Sequence, residues 1–117
     1  DCFLGSVPCT RALSLHEITG DYETEIGNVI VETFETKRRD PLRTPAVLVN
    51  CHGPFTWGET VEDAVYNAVV LEEIARMSHV TMQINPQCPG AGRPLMERHY
   101  FRKHGEDAYY GQDPEDL

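Results

Sequence analysis

Apolar residues along this chain shift from short continuous runs to helical spacing and back, and each shift marks an element. Val61, Ala64, Val65, Ala68, Leu71 and Ala75 fall on one face at helical spacing, while Glu62, Glu72, Glu73 and Arg76 fall elsewhere on the same stretch. That pattern predicts a long amphipathic helix. Thr60 followed by Asp63 supplies a capping box for its start, and the pattern ends near Met77. Residues 46–51 form a nearly continuous apolar run after the proline-bearing turn at 40–45, which predicts a buried strand ending at His52. Ile26, Val29, Ile30 and Phe34 recur at helical spacing and predict a helix over 25–35, although the β-branched cluster Val29, Ile30 and Val31 also suits a strand. Residues 2–9 are β-prone around Phe3, Leu4 and Val7 and predict a strand, bent at Gly5 and ended at Pro8. Pro86, Pro89, Gly90, Gly92 and Pro94 make an irregular connection to a last helix over about 95–104, with Pro94 at its start and Gly105 just past its end. No repeat or linker interrupts this order, so one layered αβ unit is expected.

Composition narrows the class. At 117 residues the chain is long enough for one small core and too short for two ordinary domains. With 40% hydrophobic and 25% charged residues, disordered and low-complexity classes drop out. A net charge of −9 excludes broad nucleic-acid binding, which needs a basic footprint. Arg11 and the run Lys37, Arg38, Arg39 read as solvated faces and receive no function. Cys2, Cys9, Cys51 and Cys88 form no CxxC pair and no dense framework, so reduced thiols are expected. No apolar stretch approaches the roughly 20 residues that span a bilayer, and no signal-like start is present. The expectation is a soluble, cytoplasmic chain with no membrane partner. Asp1 leads straight into CFLGSVPC without the turn or capping residues that usually precede a strand, so the chain is expected to begin inside an element, its amino terminus cut.

Chemistry concentrates at the end of the predicted strand. Alternation along a strand puts Asn50 and His52 on one face and Cys51 on the other, so His52 and Cys51 do not share a metal. An imidazole at an open strand end is a common zinc ligand, but catalytic zinc takes three protein ligands, and a histidine before Gly53 and Pro54 is equally at home as a packed residue satisfied by backbone groups.

The segments NCHGPFTWG, residues 50–58, and HGEDAYYGQ, residues 104–112, together resemble the metal-binding turn and carboxy-terminal catalytic tyrosine of the L-ribulose-5-phosphate 4-epimerases, members of the class II aldolase/adducin-like superfamily. TRALSLHEITGDYETEIGNVIVETFE, residues 10–35, is similar to the stretch after that family's central strand. GETVEDAVYNAVVLEEIA, residues 58–75, is similar to its long helix, and LMERHYFRKHG, residues 95–105, to its final helix. The resemblance covers residues 1–112 and leaves 113–117 as an acidic tail. It implies an α/β class, a three-layer αβα class II aldolase-like fold with a mostly antiparallel sheet, of which this chain is the carboxy-terminal part and the amino-terminal half is missing.

By the same resemblance His52 is a ligand of zinc or another divalent metal, whose other two ligands form a His-x-His pair earlier in the family's chain. No His-x-His occurs in this sequence, and the family's phosphate-holding Asn, Gly, Lys and Ser residues also lie earlier. Tyr110 matches the catalytic tyrosine, Asp1 the aspartate that acts opposite it, His99 a histidine near the active site, and Glu23 an acidic residue of secondary role. The implied reaction converts L-ribulose 5-phosphate to D-xylulose 5-phosphate. The hydrogen on the inverted carbon is not acidic, so the C3–C4 bond is cleaved and remade in a retro-aldol and aldol sequence, with the metal as Lewis acid and proton carriers on the two faces. A free tyrosine, with a pKa near 10, needs a cationic neighbour for this task, and the resemblance offers the metal. The implied partners are a pentulose 5-phosphate and further copies of the chain in a homotetramer, with sites between subunits, serving pentose catabolism by an arabinose or ascorbate route. The isolated chain is expected to be inactive. Two other readings stay open: a class II aldolase that cleaves a sugar phosphate into two fragments, and a noncatalytic adducin-like oligomerisation module.

Overall fold

The computed structural model describes residues 2–111. Its elements run α1 Leu15–Thr19, α2 Tyr22–Lys37, β1 Ala46–Val49, β2 Gly53–Thr56, α3 Val61–Ile84 and α4 Arg93–Phe101. The class is mixed α/β, with one small antiparallel sheet among the described residues.

Strand β1 organises the rest. Ala46, Val47 and Val49 are all buried, as their continuous apolar run predicts. Ala46 clusters with Phe3 and with Leu71 of α3, while α2 is the other helix packed on β1. Strand β2 is an addition to the sequence reading. It pairs antiparallel with β1, Ala46 opposite Thr56 and Val49 opposite Gly53. Pro54 masks it in the sequence, because proline cannot donate to a ladder. The structure removes the conflict: Leu48, opposite Pro54, turns its N–H and C=O the other way, to Pro8 O and Thr10 N, both at 2.9 Å. Pro54 therefore occupies a position from which no ladder bond is asked.

The predicted strand over 2–9 forms only in trace. Its backbone pairing reduces to a parallel bridge between Cys9 and Leu48, plus a bond from Leu4 N to Arg43 O at 2.8 Å. Gly5 has φ +86° and breaks the extended run, and Pro8 has no N–H to give. The segment still covers the free edge of β1 and contributes Phe3 to the core.

Helix α2 is longer at both ends than predicted. Ile26, Val29 and Phe34 are buried as their spacing requires, so the helical spacing prevails over the β-branched cluster. The helix closes in a Schellman arrangement, Arg39 N to Phe34 O at 2.9 Å and Arg38 N to Glu35 O at 3.1 Å, with Arg38 in the left-handed region at φ 50°. Helix α1 is a second addition, although Ser14 and Glu17 form a reciprocal capping box that the sequence displays. Arg11 is no idle surface charge: its guanidinium bonds Glu17 and Glu32, each at 2.8 Å at closest, and so ties α1 and α2 to the segment that leaves β1's edge.

Helix α3 begins at the predicted capping box, with Thr60 and Asp63 bonded both ways, but runs to Ile84 instead of ending near Met77. Its buried side also differs. Leu71 is buried and Asn67, Val70 and Ile74 are half-buried, whereas Val61, Val65 and Val69 are exposed. The helix is apolar on two adjoining flanks, and the sheet takes only one. Helix α4 ends at Phe101, three residues before the predicted end, so Gly105, at φ +107°, serves a later turn and not the helix cap. All four cysteines are free thiols. Among the described residues no helix is long and apolar enough to cross a membrane.

Two measurements check these contacts. Thr60→Ala removes the side-chain acceptor for Asp63 N and should cost about 1 kcal/mol of stability in urea unfolding, with the loss absent in Thr60→Ser. Hydrogen bonds from Arg11, then from Ser14, hold the Glu17 carboxyl down at about 2. A carboxylate depressed on folding adds stability that is complete above its ordinary pKa near 4.5 and lost as pH falls toward about 2. Melting temperature should therefore drop between pH 5 and pH 2 in the wild type, and the part of that drop owed to Glu17 should shrink in Arg11→Ala, leaving the share held by Ser14.

Candidate active site

His52 stands at the tip of the β1–β2 hairpin. The three-residue turn closes through His52 N to Val49 O at 3.0 Å, with Cys51 in the left-handed region at φ 56° and Gly53 at φ +147°. A cysteine at positive φ is strained; holding it there turns the chain sharply enough to leave the His52 side chain exposed. The imidazole has two aromatic neighbours. Phe55 stacks on it at 5.4 Å and 28°, and Tyr22, the first residue of α2, meets it at 6.4 Å and 47°. Tyr22 carries no signal in the sequence, since its proximity depends on where the N-terminus of α2 lands.

Glu23 follows Tyr22 on the first turn of α2 and is exposed. The structure thus brings its turn to the histidine's side of the molecule. His99 sits elsewhere, on α4, at the rim of an apolar cleft of about 600 Å³ walled by Leu48, Leu71 and Ile74; the residues lining that cleft do not include His52, Glu23 or Tyr110. Tyr110 is exposed on the segment after α4. The N–H groups of Tyr109 and Tyr110 both donate to Arg102 O at 2.9 Å, which folds the segment back on the helix end. The Arg102 guanidinium lies 4.4 Å over the Tyr110 ring and the Lys103 ammonium 5.6 Å from it. Asp1 lies outside the described residues, as do Gln112 and the tail at 113–117.

A second cleft, of about 770 Å³, opens beside this segment between Trp57, Tyr66, Tyr100 and Lys103. Burial raises the Tyr100 phenol above its ordinary pKa, and a hydrogen bond with Cys2, sulfur to oxygen 3.7 Å, raises that of Tyr66.

The class II aldolase and adducin N-terminal domain model matches residues 2–79, more than half of the chain. The chain belongs to this family. The matched span of the class II aldolase/adducin domain includes His52 and Glu23 and stops short of His99 and Tyr110. The family includes enzymes, and its aldolases are typically dependent on a divalent metal. The described residues do not by themselves fit that metal: no group of three His, Cys, Asp or Glu side chains is arranged to hold one, and the neighbours of His52 are rings. His52 offers a single donor.

The stacked geometry makes a prediction. In Phe55→Leu the His52 ring protons should lose the upfield ring-current shift that a stacked phenyl imposes, while Phe55→Tyr should keep it; proton–carbon correlation spectra of the imidazole measure both.

Proposed function

We propose that this chain is the carboxy-terminal part of a sugar-phosphate 4-epimerase of the class II aldolase type, interconverting L-ribulose 5-phosphate and D-xylulose 5-phosphate in pentose catabolism. The observation that carries the reading is the family match through the His52 turn, taken with the YYGQ ending that distinguishes the epimerases in the resemblance. In this reading the complete domain is a three-layer αβα fold and assembles as a cytoplasmic homotetramer.

The chemistry assigns roles to the chain's own side chains. The C4 hydroxyl gives up its proton as the C3–C4 bond breaks, leaving an aldehyde and an enediolate. The aldehyde turns over, the bond re-forms on its other face, and the oxygen regains a proton there. Tyr110 carries the proton on one face and Asp1 on the other. His52 supplies one ligand of a divalent metal whose remaining ligands lie outside this sequence, with His99 and Glu23 near the substrate. The aldolase reading differs in its products, since it needs no second-face proton carrier in the place of Tyr110.

The test uses the product of the complete reading frame, supplied with L-ribulose 5-phosphate and followed by chromatography of the sugar phosphates. D-xylulose 5-phosphate is expected. Tyr110→Phe should lower kcat by about 10²–10⁴-fold, the scale of a general acid or base, with bound metal retained, and His52→Asn should lose metal and turnover together. Release of a free aldehyde as the end product would make the protein an aldolase. A folded protein that turns over neither way would overturn the epimerase reading, and turnover by the 117-residue chain alone would overturn the expectation that this part is inactive by itself.

A further inference from the structure

This acidic molecule gathers half of its cations in one place. Of ten Lys and Arg side chains in a chain of net charge −9, five line a single cleft of about 640 Å³: Lys37, Arg38, Arg39, Arg43 and Arg93. Two carboxylates face them, and each is already engaged, Asp40 by Arg43 at 3.3 Å and Glu97 by Arg93 at 2.6 Å. Arg39 is fixed by neutral groups, Ser6 Oγ at 3.2 Å and Leu4 O at 3.5 Å. It lies against Gly5, where any side chain would collide with its guanidinium. Lys37 and Arg38 have no ion-pair partner among the described residues.

We propose that this cleft binds a small molecule bearing a diphosphate or two phosphate groups. Three considerations select that class. Five cations against two carboxylates leave an excess that suits a ligand with two or more negative charges, and each phosphate group carries about −1.5 to −2. Four of the five cations are arginines, whose planar forks match phosphate oxygens in pairs. The volume falls in the range of small-ligand clefts, about 300–1,000 Å³, while the acidic remainder of the surface offers no basic track to a nucleic acid.

Backbone strain points to the same spot. Arg38 is the left-handed residue of the Schellman closure of α2, at φ 50° and ψ 48°, a conformation that glycine adopts freely and arginine does not. Strain of this kind clusters at binding sites. The cleft is separate from the candidate active site: Tyr22, which touches His52, is the first residue of α2, and Lys37 is the last. At 1.5 Å per residue these ends are about 22 Å apart, farther than one pentulose phosphate reaches.

The experiment is a titration of the 117-residue chain with inorganic diphosphate at low salt, read by amide chemical shifts. Saturable shifts confined to residues 4–6, residues 37–44 and the start of α4 are expected, weaker for inorganic phosphate and diminished by added sodium chloride. Arg38→Gly is the informative variant, because it relieves the backbone while removing the guanidinium. Its melting temperature should hold or rise, and its affinity should fall about tenfold, the loss of one charge-assisted contact. His52→Ala should bind as the wild type does, which keeps this result apart from the fate of the epimerase reading. Non-saturating shifts, shifts matched by sodium chloride at equal ionic strength, unchanged affinity in Arg38→Gly, or tighter binding of a polyglutamate peptide than of diphosphate would overturn the proposal.

Discussion

The structure depends on bonding strand β1 on both edges while most of its side chains are buried. Val47 and Ala46 are without solvent exposure, so their backbone groups must find partners inside the protein. One edge is met by β2. The other is met by a segment that is barely a strand, through Pro8 and Thr10 on Leu48 and through Thr10 Oγ1, which accepts from Asn50 N at 3.0 Å. Because Leu48 looks to that second edge, Pro54 is tolerated opposite it, and the hairpin can turn tightly enough to expose His52. The candidate active-site histidine is thus placed by the hydrogen-bond accounting of a strand whose own side chains are inert.

Helix α2 then fixes the distance between the chain's two chemically distinct ends. Its first residue meets His52, and its last turn opens onto the arginine-rich cleft. The helix cannot slide, since Val29 is buried on the sheet side, Phe34 meets Trp57 edge-on at 5.4 Å, and the Trp57 indole donates to Pro41 O at 2.9 Å. Arg11 braces it from outside. Such an exposed ion pair adds little by itself, but a guanidinium shared between two carboxylates on different helices limits how they can move relative to each other.

The second apolar flank of α3 sets this chain apart from a domain whose helices are amphipathic on one side only. Val61, Val65 and Val69 are exposed beside a sheet-facing side that is already filled. Apolar residues scattered over a surface are ordinary; here they stand in a row on one helix, so any assembly of the complete protein either covers that row or leaves it in water.

Local spacing settles most of the elements: the α3 capping box, the buried run of β1, the inner face of α2 and the proline-led start of α4. These follow from contacts within one turn or one strand, which neighbouring residues encode. The segments that carry His52 and Tyr110, the candidate site residues, stand out in the sequence for the same reason, since each is contiguous. Features that depend on partners far along the chain are not legible in this way. The stretch at 2–9 has the composition of a strand and becomes an edge cover, because Gly5 and Pro8 spoil the ladder and only Leu48's orientation says how much pairing is left. The two flanks of α3 are equally apolar, and only the sheet chooses between them. Tyr22 becomes a neighbour of His52, and Arg39, Arg43 and Arg93 become one cleft, through long-range packing. A single sequence carries no record of that packing, because the free energy that selects it comes from surfaces meeting across the fold.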